Sequence, residues 1–455
     1  MVSSKLIKVN QKEINRPNKM IEALFILTFL STVFAYLPQV ISAAIHNVPI
    51  MTAVSYYDTG INSALANFRN LKELLVIIAL AVVCLNLLKK NRARMFVVLI
   101  SVFIILIALG TGSLLFSDKF SVWMVLAGIR GMLFFLVSLL FGKYFINKYF
   151  VKKFHNILKV TLIIELIVVL IQMYIIKSNL GYFSLGQFRL LGTFGHTGGF
   201  AAYIIGYGMY LYVIKFYFRL VKNKQYLFEM FCLLALSICT GTRMIIILFL
   251  LLIMTSIFMF INKTNKKSNK LELAIMVLFP FALLYFLKIS ESIANRGSAV
   301  EANLTGGRIF VIIDYLTKST PKELLIGTGI GYGTNSGVIL NRELNMSDVQ
   351  SRIMDGTFNT LITQYGLVIF TIIFMVVIFT YLNLINKSRD RPLFVCVFII
   401  TNVLLFINTN IFEQYSLTLL LVLSTTLMFS DIIPEPIIQS KEQPNVQLMH
   451  REFNQ

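Results

Sequence analysis

Apolar runs that approach the ~20 residues needed to cross a bilayer core recur along this chain, separated by short connectors rich in Lys and Arg. A chain built this way must place most of its length inside a membrane. Hydrophobic residues make up 57% and charged residues 14%, proportions that exclude an ordinary soluble domain. The expected fold is an all-α polytopic membrane protein of about twelve transmembrane helices, with one long extracytoplasmic loop that contains a short amphipathic helix. No stretch is rich enough in Pro, Gly or Ser to link soluble domains, so one bundle is expected.

The net charge of +20 belongs to the membrane topology rather than to a nucleic-acid partner, because about two thirds of the Lys and Arg fall in alternate connectors. Residues 1–20, with Lys5, Lys8, Lys12, Arg16 and Lys19, read as a cytoplasmic segment. No cleavable signal peptide is expected, since the first apolar run follows that polar segment and is long enough to stay as a span. Spans are predicted at Ile21–Ile45, Leu74–Leu88, Met95–Leu109, Ser121–Phe141, Val160–Ile176 and Gly198–Ile214. Six more follow at Tyr226–Cys239, Met244–Ile261, Leu271–Leu287, Thr357–Leu384, Leu393–Phe406 and Tyr415–Phe429. The bundle then covers 21–430 with an outer loop at 289–356, and 431–455 is a cytoplasmic tail. Cys84, Cys232, Cys239 and Cys396 lie in apolar runs without CxxC spacing, which predicts small buried hydrophobes rather than disulfides or a metal centre.

Arg is enriched among the outer basic residues, at Arg69, Arg189, Arg243, Arg296, Arg308, Arg342 and Arg352. Lys is enough to hold topology, whereas the planar Arg fork grips phosphate oxygens bidentately. Within the long loop, Ile309, Ile312, Ile313 and Leu316 recur at helical spacing with Asp314 opposite. Thr305 is the predicted N-cap and Thr320-Pro321 the predicted stop. Arg308 falls in the first turn, after Gly306-Gly307, where free N–H groups favour an anion. The glycines at 327, 329, 331 and 333 lack the βαβ setting and the following Lys-Ser/Thr of a nucleotide loop; they predict a segment packed closely on backbone or sugar. His196 is an outer-face acid, base or structural residue, while His46, His155 and His450 show no metal-ligand spacing. Arg130 and Glu165 are charges inside spans; Glu165 is expected nearer the inner surface, so no direct pair between them is expected.

Four segments taken together resemble a known family. They are Phe188-Arg-Leu-Leu-Gly-Thr-Phe-Gly-His-Thr-Gly-Gly-Phe200, Thr240-Gly-Thr-Arg243, Gly306-Gly-Arg308 with Leu325-Ile-Gly-Thr-Gly-Ile-Gly331, and Asp355-Gly-Thr-Phe-Asn359. Their order and their place around a late outer loop resemble the O-antigen polymerase and ligase family (Wzy-like). The resemblance implies a metal-independent glycosyltransferase that uses no cofactor. It would join polyprenyl-diphosphate-linked oligosaccharide units into a capsular, exo- or O-antigen-type polysaccharide, at the outer face of a bacterial cytoplasmic membrane. It assigns Arg243 and Arg308 to the donor diphosphate and Asp355 to the base. Arg189, His196, Gly307, Gly329, Gly331 and Asn359 would contact substrate. A flippase and a chain-length regulator are the protein partners it suggests. Ligases typically carry His where this chain has Asp355, which favours polymerase over ligase. A flippase or transporter of the same lipid-linked glycan is the reading from another class.

Overall fold

A computed structural model describes residues 19–38, 40–41, 63–89, 93–116, 121–174, 190–194, 197–262, 308–335, 337, 356–387 and 392–429. Among these, thirteen helices and no strand are present. They are α1 Lys19–Val33, α2 Ser63–Lys89, α3 Ala93–Phe116, α4 Val122–Tyr144, α5 Lys148–Tyr174, α6 Thr197–Phe216, α7 Asn223–Cys239 and α8 Arg243–Asn262. Then come α9 Arg308–Lys318, α10 Pro321–Ile326, α11 Thr357–Lys387, α12 Pro392–Asn408 and α13 Tyr415–Phe429. Six helices are long and apolar enough to cross a membrane, and three shorter apolar ones accompany them. Eleven of the predicted spans coincide with helices; the first is shorter than expected, because α1 ends at Val33 and a turn follows. The predicted span at 271–287 lies outside the described residues, as do the two tails.

The core is built around α6, whose residues from Gly199 to Lys215 are all buried. Helices α5, α7, α8 and α13 pack on it, and α13 also packs on α4. Small residues permit the closest approaches: Gly206 faces Leu417 and Leu420 of α13, and Gly142 of α4 faces Thr426. Aromatic stacking fills the rest, with Phe25 and Phe141 at 4.1 Å and Phe134 and Tyr415 at 4.3 Å between ring centroids. Helices α2, α3 and α11 ring this core and turn many large apolar side chains outward, as helices facing lipid do.

The helices define two ends of the bundle. One carries the basic connectors around 89–94, 143–159 and 215–224, and is called here the basic face. The other gathers the turn between α7 and α8, the segment 190–194, the glycine-rich loop 327–334 and the turn between α12 and α13; it is called the loop-bearing face.

The cysteines differ from expectation. All four are unpaired thiols, but Cys84, Cys232 and Cys239 are half-buried and Cys396 is exposed, because they lie on helix faces turned outward.

Candidate functional site

Among the described residues, the glycine-rich loop 327–334 is the longest non-helical segment packed into the bundle. Its backbone finds partners in two elements, α3 and α11. Thr328 N donates to Thr363 O of α11 at 2.7 Å, and Ile330 N donates to Gly110 O of α3 at 3.0 Å. Tyr332 O accepts from Gln364 Nε2 at 3.2 Å. Irregular backbone survives at this depth only when its polar groups are paired within protein in this way. A Cβ on Gly329 would lie 2.7 Å from Leu114 N, and one on Gly128 of α4 would lie 2.6 Å from Gly331 N. The space beside Gly329 and Gly331 is therefore filled by α3 and α4 rather than left open to a ligand. This fulfils the backbone half of the sequence expectation.

Ahead of the loop, Thr320 caps α10 through a reciprocal pair of bonds with Glu323, and Pro321 takes the first helical position. The predicted stop at Thr320-Pro321 is thus the start of a second helix, and α9 has already ended at Lys318. The side of α9 that carries Asp314 is the one turned to the protein. Asp314 and Tyr315 are buried against the protein, and Ile313 and Leu316 are exposed. Asp314 is held by Lys318 Nζ at 2.7 Å. Tyr315 Oη meets Thr328 Oγ1 at 3.0 Å, which docks α9 on the loop. Burial raises the phenols of Tyr315 and Tyr332, the latter to about 12.

Beside the loop lies a polar recess. By helical rise, α12 and α13 are only about 25 Å and 22 Å long, so the turn joining them ends below the neighbouring helices. Phe412 in that turn packs on Gly131, about 13 Å along α4 from its start at the same face. Two ties fix the turn. Thr357 Oγ1, in the first turn of α11, donates to Thr409 O at 2.7 Å, and Asn335 donates through both N and Nδ2 to the two Glu413 oxygens at 2.6 Å each.

Into this recess come charges from α2 and α4. Arg130 Nη2 lies 2.6 Å from Glu73 Oε1, with the two side chains 33% and 26% exposed. Arg130 and Lys72 both approach the Tyr415 ring at 5.2 Å from its centroid, and Lys72 lies 5.8 Å from that of Tyr36. Arg130 Nε is buried without a hydrogen-bond partner. Two cations and two carboxylates, Glu73 and Glu413, cancel formally. The result is a half-buried, formally neutral cluster of charged side chains with two aromatic rings.

The sequence flagged Arg130 but not its partners, since span two was expected to begin at Leu74 and left Lys72 and Glu73 in a connector. The helix begins at Ser63 instead. A base and an acid, Lys72 and Glu73, directly before an otherwise apolar run were the available signal. Glu165, expected nearer the inner surface, lies toward the loop-bearing face, because α5 starts twelve residues before the predicted span. Its Oε2 accepts from Thr193 N at 3.1 Å, and its Oε1 accepts from the Thr193 hydroxyl. Gln172 completes this clamp on the segment 190–194 by accepting from Leu191 N and Gly192 N.

Of the other residues expected at the site, Arg243 and Arg308 each open a helix, α8 and α9, at the loop-bearing face; their side chains lie outside the described residues. The tight turn expected before Arg243 is present, with Gly241 at φ 63°. Asn359 sits half-buried in the first turn of α11, two residues after Thr357. Asp355, Arg189, His196 and Gly307 lie outside the described residues, as does Thr305. Comparison with protein-family models, with curated proteins and with solved structures finds no match to this chain.

Proposed function

We propose that this protein polymerises polyprenyl-diphosphate-linked oligosaccharide units at the outer face of a bacterial cytoplasmic membrane. The bundle would have about twelve spans, both termini would be cytoplasmic, and the loop-bearing face would be the outer one. One observation carries the reading: the neutral recess of Lys72, Glu73, Arg130, Tyr36, Tyr415 and Glu413 lies on the face where the helices headed by Arg243 and Arg308 begin. Aromatic faces suit the apolar faces of sugar rings, and half-buried charges suit their hydroxyls, without the net charge that would select an ion.

In this reading the acceptor hydroxyl attacks the anomeric carbon of the donor, and the bond from that carbon to the diphosphate oxygen breaks. The hydroxyl proton passes to the Asp355 carboxylate. Arg243 and Arg308 stabilise the charge that gathers on the departing lipid diphosphate, and Arg189, His196, Gly307 and Asn359 contribute to substrate binding. A lipid diphosphate is already a good leaving group, so orientation and charge are what the protein must supply.

A transporter of the same glycan is favoured by a different feature, the interruption of α11 at Gly366, whose φ of 71° breaks a long apolar helix. Deletion of the gene, followed by analysis of the lipid-linked intermediate, separates the readings. Single repeat units on the outer leaflet support polymerase. Full-length polymer left on its lipid carrier makes the protein a ligase, and single units confined to the inner leaflet make it a flippase.

A further inference from the structure

A second set of buried ionisable groups lies away from the recess, between α5, α6 and α7. Glu229 of α7 and His155 of α5 are almost wholly buried. His155 Nε2 is 3.4 Å from Glu229 Oε1. Gln225 Nε2 donates to the same Glu229 oxygen at 2.8 Å, and Tyr207 Oη of α6 donates to Oε2 at 2.8 Å. His155 Nδ1, in a residue only 6% exposed, has no hydrogen-bond partner.

The set continues toward the loop-bearing face. Thr161 Oγ1 meets Tyr203 Oη at 2.7 Å, one helical turn from Tyr207 on α6 and one from Glu165 on α5. Glu165 in turn holds the Thr193 hydroxyl and N–H. Thr161 and Glu165 on α5, and Tyr203 and Tyr207 on α6, are each about 6 Å apart, the rise of four residues, and His155 lies about 9 Å from Thr161. His155 lies about 10 Å along α5 from its basic end, and Glu165 about 13 Å from the other.

Polar side chains between membrane helices also act as adhesive, with a modest gain per bond. Adhesion accounts for Thr161 and Tyr203. It does not account for two carboxyl groups and an imidazole, which are costly inside a bilayer, nor for a ring nitrogen left without a partner. The groups that face the pair from the packed elements are Tyr207 of α6 and Gln225 and Cys232 of α7. From α1, Phe29 brings an apolar ring against Phe154 of α5. Lys152 and Lys153 of α5 are exposed.

We propose that the interface of α5, α6 and α7 conducts protons between the two faces, with the His155–Glu229 pair as its proton-binding site. A proton arriving from water at Nδ1 of His155 lets the ring release its Nε2 proton to the Glu229 carboxylate, and the ring is left neutral as the other tautomer. Glu229 returns to carboxylate by passing that proton to Tyr207 Oη while Tyr207 gives up its own. Water molecules carry it past Tyr203 and Thr161 to Glu165, which releases a proton to water at the loop-bearing face and returns to carboxylate; the cycle closes when the imidazole shifts its remaining proton from Nδ1 back to Nε2. This stands apart from the glycan reading, because a protein that makes no polymer can still conduct.

The full-length protein, reconstituted in phospholipid vesicles with an internal pH-sensitive dye, is driven by a valinomycin potassium diffusion potential. Wild type is expected to acidify the lumen faster than protein-free vesicles. Glu229→Gln keeps an acceptor for Tyr207, and its flux should fall to the protein-free rate; Glu165→Gln gives a second block at a separate position. A wild-type flux no faster than that of protein-free vesicles overturns the inference, as does wild-type flux in both variants.

Discussion

Gly327 and Gly366 occupy each other's side-chain space: a Cβ on Gly327 would lie 2.6 Å from Gly366 N, and one on Gly366 would lie 2.5 Å from Gly327 N. Both residues have positive φ, 83° and 71°. The loop and the break in α11 are therefore one feature, since neither backbone can approach the other unless both lack side chains.

Substitution at this crossing should be costly on two counts. Gly366→Ala adds a Cβ to a left-handed backbone, worth about 1–3 kcal/mol of strain, and also separates the loop from α11. Gly112→Ala in α3 is the matched control, because nothing lies within 4 Å of its Cβ. Thermal unfolding in detergent should show a clear drop for Gly366→Ala and none for Gly112→Ala. Equal melting temperatures would mean the crossing is not closed.

Arg130 and Glu73 should behave as a coupled pair. Arg130→Ala leaves a half-buried carboxylate, and Glu73→Ala leaves a half-buried guanidinium. Removing both should cost less than the sum of the singles, with a coupling of about 0.5–3 kcal/mol. A double-mutant cycle on unfolding free energy measures it, and strict additivity would show that the pair contributes no coupling.

Alkaline pH should loosen the loop. Burial holds the Tyr332 phenol at about 12 against an ordinary 10.0. The folded pKa is raised, so this stability is fully present below pH ~10 and is lost as pH rises through the folded value. Tyrosinate absorbance should show a late step that vanishes in Tyr332→Phe. A Tyr332 that titrates at its ordinary pH would place it in water.

For the proposed polymerase, Arg243→Ala and Arg308→Ala should each reduce polymer about 100-fold, the scale of a lost oxyanion contact. Detergent-extracted protein should remain folded. Asp355→Asn should lower turnover roughly 100-fold and leave donor affinity little changed, as loss of a general base does. Polymer of wild-type amount and length in both arginine variants would remove the assignment.

The apolar runs announced nearly every described helix, because a bilayer demands continuous stretches whose length and hydropathy can be read directly. The glycines at 327 to 333 were likewise legible as a close approach, since they lack the βαβ setting and the following Lys-Ser/Thr of a nucleotide loop. The orientation of α9 was not legible. Lipid beside the protein reverses the usual sorting, so Asp314 turns inward and Ile313 outward. Nor was the recess, whose charges come from helices distant in sequence and whose floor is set by the shortness of α12 and α13. Glu229 lies within the predicted span Tyr226–Cys239 but was not singled out there, and only folding brings it to His155 and Tyr207.

The enclosure of α6 sets an order of assembly. It is the least apolar of the six long candidate spans, and protein rather than lipid surrounds it. Its neighbour α13 is the last described helix and begins roughly 200 residues after α6 ends, a delay of about 10–40 s during synthesis. Until then, the side of α6 around Gly206 has no permanent cover. A nascent chain halted before Tyr415 thus has the α5, α6 and α7 helices but not the helix that covers the Gly206 side of α6.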